Sequence, residues 1–81
     1  MSMDSEKAFG LFRGCAVDVL QVEADQIRLE TRFIEDLDAD SLDLLELALA
    51  VEEVFGVRVV EEELRGIETI GQAYDLVYSK L

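Results

Sequence analysis

Apolar residues near the start of the chain recur with the period of an α-helix. Between Asp4 and about Leu20 they fall at i, i+3, i+4, i+7 and i+11, a spacing that places on one face Ala8, Leu11, Phe12, Cys15 and Val19. Either Asp4 or Ser5 is a suitable N-cap. Gly10 and Gly14 each cost about 1 kcal/mol in a helix interior relative to Ala. We therefore expect them to permit close packing against a neighbouring helix.

The segment 21–40 follows neither a helical nor a strand period. Its apolar residues are scattered among charged and polar ones: Val22, Ile27, Leu29, Phe33, Ile34 and Leu37. A loop of this length is uncommon in a small domain unless it is functional or is held down by its own apolar side chains. We expect both to apply here.

Two more helices are predicted in the middle of the chain. One begins around Asp40 and runs to about Phe55, with Gly56 at its C-terminal end. A short acidic turn of helix follows at 61–65 and ends at Gly66. A strand at 57–60 is a competing interpretation, but a lone strand has nothing to pair with.

The last helix begins at Thr69, which forms a capping-box pattern with Gln72. Its buried stripe is expected to consist of Ile70, Ala73, Val77 and Leu81. The sequence thus predicts one domain over residues 1–81. That domain is all-α, a small four-helix bundle of three main helices and one short helix, with a long first loop.

The chain is strongly acidic for its length. Its 81 residues include 19 Asp and Glu against 7 Lys and Arg, which gives a net charge of −12. This charge argues against unassisted binding to nucleic acid or to an anionic membrane surface, because both are polyanions, and it favours basic protein partners. The N-terminal residues lack the basic flank and apolar run of a secretory signal, and no stretch is long enough to span a membrane. We expect a cytoplasmic monomer.

Two scarce residue types exclude several kinds of chemistry. The chain has no His, so mechanisms that use an imidazole base or ligand are excluded. It has one Cys, so it can form no intrachain disulfide. Cys15 lies in the apolar stripe of the first helix, and we expect it to be a core residue.

The densest acidic patch is the segment 36–43, and no basic residue occurs between Arg32 and Arg58. Like charges this close repel one another and weaken the fold. The presence of these acids therefore favours a functional role for their electrostatic field. The alternative is a helix face that is simply solvated. An EF-hand loop is excluded, because its sixth and twelfth positions would need Gly and Glu, where Ser41 and Leu47 stand. No metal site is expected.

Ser41 stands at the predicted start of the second helix. If Asp40 caps this helix, the Ser41 hydroxyl is not consumed by capping and points outward. No His, Lys or Arg lies nearby in the sequence to activate it, so Ser41 is not expected to be a catalytic serine. A separate enzyme could still modify it. The alternative is a serine that merely begins a helix.

The second helix carries more apolar surface than one core face requires. Its core side is expected to hold Leu44, Leu47, Ala48, Val51, Val54 and Phe55. A further stripe flanks the acids on the same side as Ser41 and consists of Leu42, Leu45 and Leu49. An apolar strip beside an acidic one is typical of a protein-docking surface. Some of these leucines could instead simply touch the loop.

The runs 33–43 (FIEDLDADSLD) and 52–56 (EEVFG), together with Leu47, resemble the acyl carrier proteins. The similarity covers nearly the whole chain. It implies that Ser41, flanked by Asp40 and Leu42, receives a 4′-phosphopantetheine arm from coenzyme A through a separate phosphopantetheinyl transferase. The chain would then be a carrier rather than an enzyme, with acyl groups held as thioesters on the thiol of the arm.

The resemblance also implies two surfaces. Basic grooves of acyl transferases, ketosynthases and related enzymes would meet Asp40, Asp43, Leu45, Glu46, Leu49, Glu52 and Glu53. The acyl chain would lie between the helices and be lined by Leu44, Leu47, Val51, Ile67, Ile70 and Val77. Charge pairing of this kind speeds the encounter between carrier and enzyme and fixes their relative orientation more than it raises their affinity.

Two positions depart from the family pattern. Asp38 stands where many fatty-acid carriers have Gly, and Val60 stands where Pro is common. These departures leave fatty-acid, polyketide and specialised pathways open. A peptidyl or aminoacyl carrier of the same fold is the second interpretation. An unmodified acidic adaptor, whose second helix binds a basic groove, is the alternative from a different class.

Overall fold

The computed structural model describes residues 4–81. Four α-helices follow one another in that range: α1 (Ser5–Leu20), α2 (Ser41–Phe55), α3 (Glu61–Leu64) and α4 (Ile70–Tyr78), with a 3-10 turn at Ala24–Gln26 in the first loop. The predicted all-α bundle of three main helices and one short helix is confirmed. Residues 1–3, which belong to the N-terminal stretch where no signal segment is expected, lie outside the described residues.

Side-chain caps fix where the outer helices begin. The Asp4 carboxylate accepts a hydrogen bond from Lys7 N at 2.8 Å before α1. The Thr69 hydroxyl accepts one from Gln72 N at 3.2 Å before α4. Each cap supplies a partner for a backbone N–H that the geometry of a helix N-terminus leaves unpaired. α2 ends at Gly56, whose φ of +68° suits a residue without a Cβ.

The core lies between α1, α2, α4 and the first loop. Its most deeply buried large side chains are Phe12, Phe33, Ile27, Ile70 and Val51. The buried faces are narrower than the apolar stripes predict, because Leu11, Val54 and Leu81 are exposed. Only the centre of each helix face is covered in a bundle this small, so Leu11 and Val54 stay at the surface. Leu81 lies beyond the end of α4.

The glycines of α1 do not mark a helix contact. A Cβ added at Gly10 or Gly14 would meet nothing within 4 Å, so the prediction of close packing there is wrong. The close approach lies instead at Gly71 in α4, where a Cβ would come within 2.8 Å of the Leu29 carbonyl oxygen. At Gly71 the neighbour that comes closest is therefore the first loop.

Backbone hydrogen bonds fasten the long first loop to the start of α4. Phe33 N donates to Glu68 O at 2.9 Å, and Ile70 N donates to Thr31 O at 2.8 Å. Ile27 and Phe33 are both buried. The loop is therefore held down by its own apolar side chains, as its length predicts, and also by the chain that leads into α4.

Residues 57–60 form no strand, and the β-pairing found among residues 4–81 is an isolated antiparallel bridge between Arg32 and Thr69. The competing strand interpretation is therefore wrong, and these residues connect α2 to α3 without regular secondary structure. None of the helices in the described part of the chain combines the length and the apolar composition that crossing a membrane requires.

Candidate functional site

A tight turn brings the chain to the start of α2. The Asp36 carboxylate accepts a hydrogen bond from Arg32 N at 2.8 Å, and Ala39 N donates to Phe33 O at 2.9 Å. Phe33 and Ala39 are buried, so the turn is anchored in the core at both of its ends. The chain then emerges at the surface at Asp40.

Asp38 adopts an uncommon backbone conformation in this turn. Its φ is +55°, in the left-handed region that favours glycine. Its N–H donates to Ile34 O at 3.1 Å, which closes the turn. The departure from Gly at this position thus puts a side chain where a residue without a Cβ would fit with less strain.

The first residues of α2 form a reciprocal cap. Asp43 N donates to Asp40 Oδ1 at 2.9 Å, and Asp40 N donates to Asp43 Oδ2 at 3.1 Å. Asp40 is therefore the N-cap, as predicted, and Ser41 is the first residue of the helix. Ser41 is exposed, and its hydroxyl makes no hydrogen bond to any part of the chain within residues 4–81.

Negative charge surrounds this hydroxyl. Asp38, Asp40 and Asp43 lie within three residues of Ser41. The N-terminus of α2 offsets part of their field, because its unpaired N–H groups carry partial positive charge. In the range 4–81 no three acidic or thiol side chains are grouped so that they could hold a metal ion. The site therefore presents a free hydroxyl in an acidic surface.

A groove of about 380 Å³ lies beside Ser41, between the start of α2 and α3. Its walls are formed by Ser41, Leu42, Leu44, Leu45, Glu61, Leu64 and Arg65. This volume is within the range of small-molecule sites, about 300–1,000 Å³. Four of its seven wall residues are leucines, so the groove suits a slender organic group with apolar segments.

Behind the groove, a cavity of about 30 Å³ lies between the helices. A cavity needs at least about 10–15 Å³, measured in the same way, to hold one water molecule, so this one has room for no more than a few water-sized groups. Five of the six residues expected to line an acyl chain contribute to it: Leu44, Leu47, Val51, Ile67 and Val77. Ile70 does not. It is fully buried in the core at the first turn of α4, where its N–H is bonded to Thr31 O.

The leucine stripe of α2 is open to solvent. Leu42, Leu45 and Leu49 are 62%, 40% and 58% exposed. The stripe is therefore an uncovered apolar surface and does not serve mainly to hold the first loop. Leu42 and Leu45 also line the groove beside Ser41, so the structure brings these two predicted residues to the attachment candidate.

The acids of the expected docking set have different surroundings. Three of them are exposed: Asp40, Glu46 and Glu53. Glu52 is half-buried, and its Oε2 accepts a hydrogen bond from Val59 N at 2.7 Å, so it also holds the segment after α2. Glu53 lines a separate groove between α1 and α2. The structure therefore does not group Glu53 with the residues around Ser41.

Cys15 is buried in α1, as predicted. Burial raises the pKa of its thiol, and the nearby charge of Asp18 raises it further. A thiol with a raised pKa stays protonated at neutral pH and is a poor nucleophile. Cys15 is therefore a core residue.

Sequence reasoning missed three neighbours of Ser41: Glu61, Leu64 and Arg65. They belong to the short acidic helical turn that the sequence did predict. Which side of that turn faces α2 depends on how the segment 57–60 is folded. No pattern of apolar residues in four residues of helix indicates this.

Known proteins resemble the chain over nearly its whole length. The sequence profile of the family described as "Phosphopantetheine attachment site" matches residues 11–77. An acyl carrier protein of Petrotoga mobilis is 40% identical over 79 residues, which cover 98% of this chain and 93% of that protein. The acyl carrier protein of Coprothermobacter proteolyticus is 39% identical over 79 residues, or 98% of this chain and 96% of that protein. The acyl carrier protein of Helicobacter hepaticus is 44% identical over 62 residues, which cover 76% of this chain and 82% of that protein.

The matched region contains the first loop, the start of α2 and the groove beside it. The resemblance found in the sequence is thus confirmed. Members of this family hold a phosphopantetheine group, interact with a phosphopantetheinyl transferase and with synthase enzymes, and are carriers rather than catalysts. A role in fatty-acid synthesis is consistent with the relatives. The chain belongs to the acyl carrier protein family.

Proposed function

We propose that Ser41 bears the phosphopantetheine arm and that the chain presents acyl intermediates of fatty-acid or polyketide-type synthesis to partner enzymes. The observation that carries this proposal is the free, exposed hydroxyl of Ser41 at the start of α2. The other serine hydroxyls among residues 4–81 are engaged. Ser5 Oγ is 2.9 Å from Tyr74 Oη, and Ser79 Oγ donates to Leu76 O at 2.7 Å.

Attachment requires a base, and we expect the transferase to supply it. The Ser41 oxygen attacks the phosphorus of the coenzyme A pyrophosphate that bears pantetheine. A new O–P bond forms, the P–O bond of the pyrophosphate breaks, and the nucleotide part leaves. The hydroxyl proton passes to a base of the transferase. The N-terminus of α2 favours the resulting phosphodiester by about 0.3–1 kcal/mol at an exposed site.

The residues around Ser41 fit the arm. Asp40 and Leu42 flank the attachment point, and the leucine-lined groove accommodates an extended organic group. The thiol at the end of the arm carries the cargo when the arm is attached. The interior cavity of about 30 Å³ must widen before it holds an acyl chain, and its walls are flexible side chains such as Leu44 and Leu47.

Partner enzymes would dock on α2. The exposed Leu45 and Leu49 supply apolar contact, and the acids Asp40, Asp43, Glu46, Glu52 and Glu53 pair with basic grooves of acyl transferases, ketosynthases and related enzymes. Such pairing speeds encounter and sets orientation while it leaves release fast. At a net charge of −12, two copies repel one another, which favours a monomer. The cytoplasm is the compartment in which we expect this carrier to act.

The test is the intact mass of the unmodified chain before and after incubation with coenzyme A and a broad-specificity phosphopantetheinyl transferase. We expect the parent to gain the mass of one phosphopantetheine and Ser41→Ala to gain none. Ser79→Ala is the matched control, because it removes another exposed serine of the same size, and it should be modified like the parent.

Failure of the folded parent to gain mass would overturn the proposal and would favour the acidic adaptor. The adaptor interpretation also predicts that Ser41→Ala keeps its biological activity, whereas a carrier loses all of it. The cargo distinguishes the remaining interpretation, because a peptidyl carrier would be loaded by an amino-acid-activating enzyme and an acyl carrier by an acyl transferase.

A further inference from the structure

One cation shares the groove with Ser41. Arg65 lines it together with the leucines, and its other charged wall residue is Glu61. The sequence has no basic residue between Arg32 and Arg58, so α2 itself carries no positively charged side chain. Arg65 reaches the start of α2 only because α3 folds against it.

Arg65 has no ion-pair partner in the part of the chain that the structure describes. Two cations in that range do form ion pairs. Arg32 pairs with Glu35 and Asp36, and Lys80 pairs with Glu63. Four other cations also lack such a partner among residues 4–81, so Arg65 is distinguished by its place in the groove beside Ser41. The charge of Arg65 is therefore available to a group that enters the groove.

The backbone around Arg65 is fixed, so its placement is reproducible. Arg65 N donates to Glu62 O at 3.2 Å and thereby ends α3, and Gly66 follows with a φ of +82°. α3 is in turn tied to the end of the chain by Lys80 Nζ, which lies 2.9 Å from Glu63 Oε2. The Arg65 guanidinium moves on its flexible side chain, whereas the backbone that carries it is held in place.

A phosphodiester on Ser41 would need a counter-charge. It would lie close to the carboxylates of Asp38, Asp40 and Asp43, which oppose it. Help from the helix N-terminus is also reduced, because Asp43 N is already bonded to Asp40 Oδ1. A guanidinium is the side chain that matches phosphate oxygens best, since it can donate two parallel hydrogen bonds.

We propose that the Arg65 guanidinium forms an ion pair with the phosphodiester on Ser41 and thereby holds the first part of the arm in the groove between α2 and α3. This inference rests on the proposed attachment at Ser41 and names a positioning residue for it. Without Arg65 the phosphate would experience mainly acidic neighbours, and the arm would leave the groove for solvent.

The test is a thermodynamic cycle that combines modification with substitution. Unfolding is measured for the unmodified and the modified chain in the parent, in Arg65→Gln and in Arg58→Gln. Arg58→Gln is the matched control. It changes the net charge by the same amount as Arg65→Gln, and Arg58 is an exposed residue that lies outside the groove. We expect modification to be less favourable to the folded state of Arg65→Gln than to that of the parent. The difference in the folding equilibrium constant should be about two- to five-fold, the size typical of an exposed ion pair.

Two further measurements distinguish a contact from a general charge effect. The Nε–H signal of Arg65 in NMR spectra should shift on modification, and that of Arg58 should not. The effect of Arg65→Gln should fade between about 10 mM and 1 M salt, since the Debye length falls from about 30 Å to about 3 Å. Arg65→Lys should retain part of the effect, because it keeps the charge and loses the paired donors.

Equal effects of Arg65→Gln and Arg58→Gln, or an unmoved Arg65 signal, would overturn the inference. Failure of the proposed attachment is seen separately, because mass spectrometry reports first whether the parent is modified at all. The Arg65 side chain makes no hydrogen bond or ion pair in the described chain that its loss would break. The unmodified Arg65→Gln chain should therefore fold like the parent, and Arg65→Lys provides a second variant.

Discussion

Leu44 of α2 and Leu64 of α3 line both the groove beside Ser41 and the cavity between the helices. No other residue is shared between the walls of these two spaces in the range 4–81. The pair is therefore the partition between the surface at the attachment candidate and the interior of the bundle. A chain that passes from one space to the other must move these two side chains apart.

We expect Leu64→Phe to hinder entry of an acyl chain, because a larger side chain narrows the partition. Loading the modified parent with an octanoyl group should shift the NMR signals of the Val51 and Val77 methyl groups, which line the cavity beyond it. These shifts should be clearly smaller in Leu64→Phe. Leu45→Phe alters the groove but not the cavity and should keep them. Equal shifts in all three proteins would contradict this role for Leu64.

Gly71→Ala should destabilise the chain by about 1–3 kcal/mol, the usual cost of forcing an extra carbon into a packed site. The added Cβ would lie 2.8 Å from the Leu29 carbonyl oxygen, which already accepts the Gly71 N–H at 2.8 Å. Gly10→Ala and Gly14→Ala are the controls, and each should instead stabilise the helix by up to about 1 kcal/mol. Urea unfolding measures all three. A Gly71→Ala chain as stable as the parent would show that the loop can move aside.

These glycines also show how far the sequence predicts the fold. Helix ends are set by neighbours in the chain, so the cap of Asp40 on Asp43 and the stop at Gly56 follow from local spacing. A glycine in a helix gives no sign of what lies against it. Whether its missing Cβ matters depends on a segment distant in sequence, here Leu29 against Gly71.

The candidate site likewise has features that the sequence predicts and features that it does not. The place of Ser41 at a helix start and its free hydroxyl depend on adjacent residues, and both could be predicted. The groove could not, because Leu64 and Arg65 come from α3, whose orientation depends on tertiary contacts such as Glu63 with Lys80. Periodicity likewise gives the direction of a side chain but not its depth, and Leu11 was therefore expected to be buried.

Asp38→Gly should stabilise the fold by roughly 1 kcal/mol, because it removes a side chain from a residue in the left-handed region. Part of any gain could come from the lost negative charge. Asp38→Ala separates the two effects, since it removes the charge but keeps a Cβ. Thermal unfolding in a salt series measures both variants. The gain of the Gly variant should persist at high salt, and a gain that disappears there would assign it to charge alone.

Cys15 should react slowly with thiol reagents in the native unmodified chain and rapidly once the chain is unfolded. Burial and the charge of Asp18 raise the pKa of its thiol, so its reaction rate should rise with pH later than that of a free thiol. The fold should likewise lose stability as the pH rises above the ordinary thiol pKa of about 8.5, because the unfolded chain then releases this proton more readily. Asp18→Asn should speed the reaction. The modified chain should show one additional, fast thiol, and Cys15→Ala should retain that fast thiol.

Glu63→Gln should destabilise the chain at neutral pH and have little effect in acid. Glu63 Oε2 lies 2.9 Å from Lys80 Nζ, and Glu63 Oε1 accepts a hydrogen bond from Val60 N at 3.0 Å. The contact with Lys80 and then the bond from Val60 hold the pKa of this carboxyl below its ordinary value. A carboxyl with a lowered pKa in the folded state contributes stability above its ordinary pKa of about 4.3 and loses it as the pH falls through the lowered pKa.

The melting temperatures of the parent and of Glu63→Gln should therefore differ most near neutral pH and converge at acidic pH. Glu62→Gln is the matched control, because it makes the same change of charge one residue away, at a side chain without such contacts in the described chain. Lys80→Gln removes the ion pair but keeps the cap on Val60, so its effect should be smaller than that of Glu63→Gln. A difference between parent and Glu63→Gln that stays constant from neutral to acidic pH would show that the carboxylate charge does not hold α3 in place. α3 supplies Leu64 and Arg65 to the groove, so loosening it should also weaken the coupling between Arg65 and a phosphodiester on Ser41.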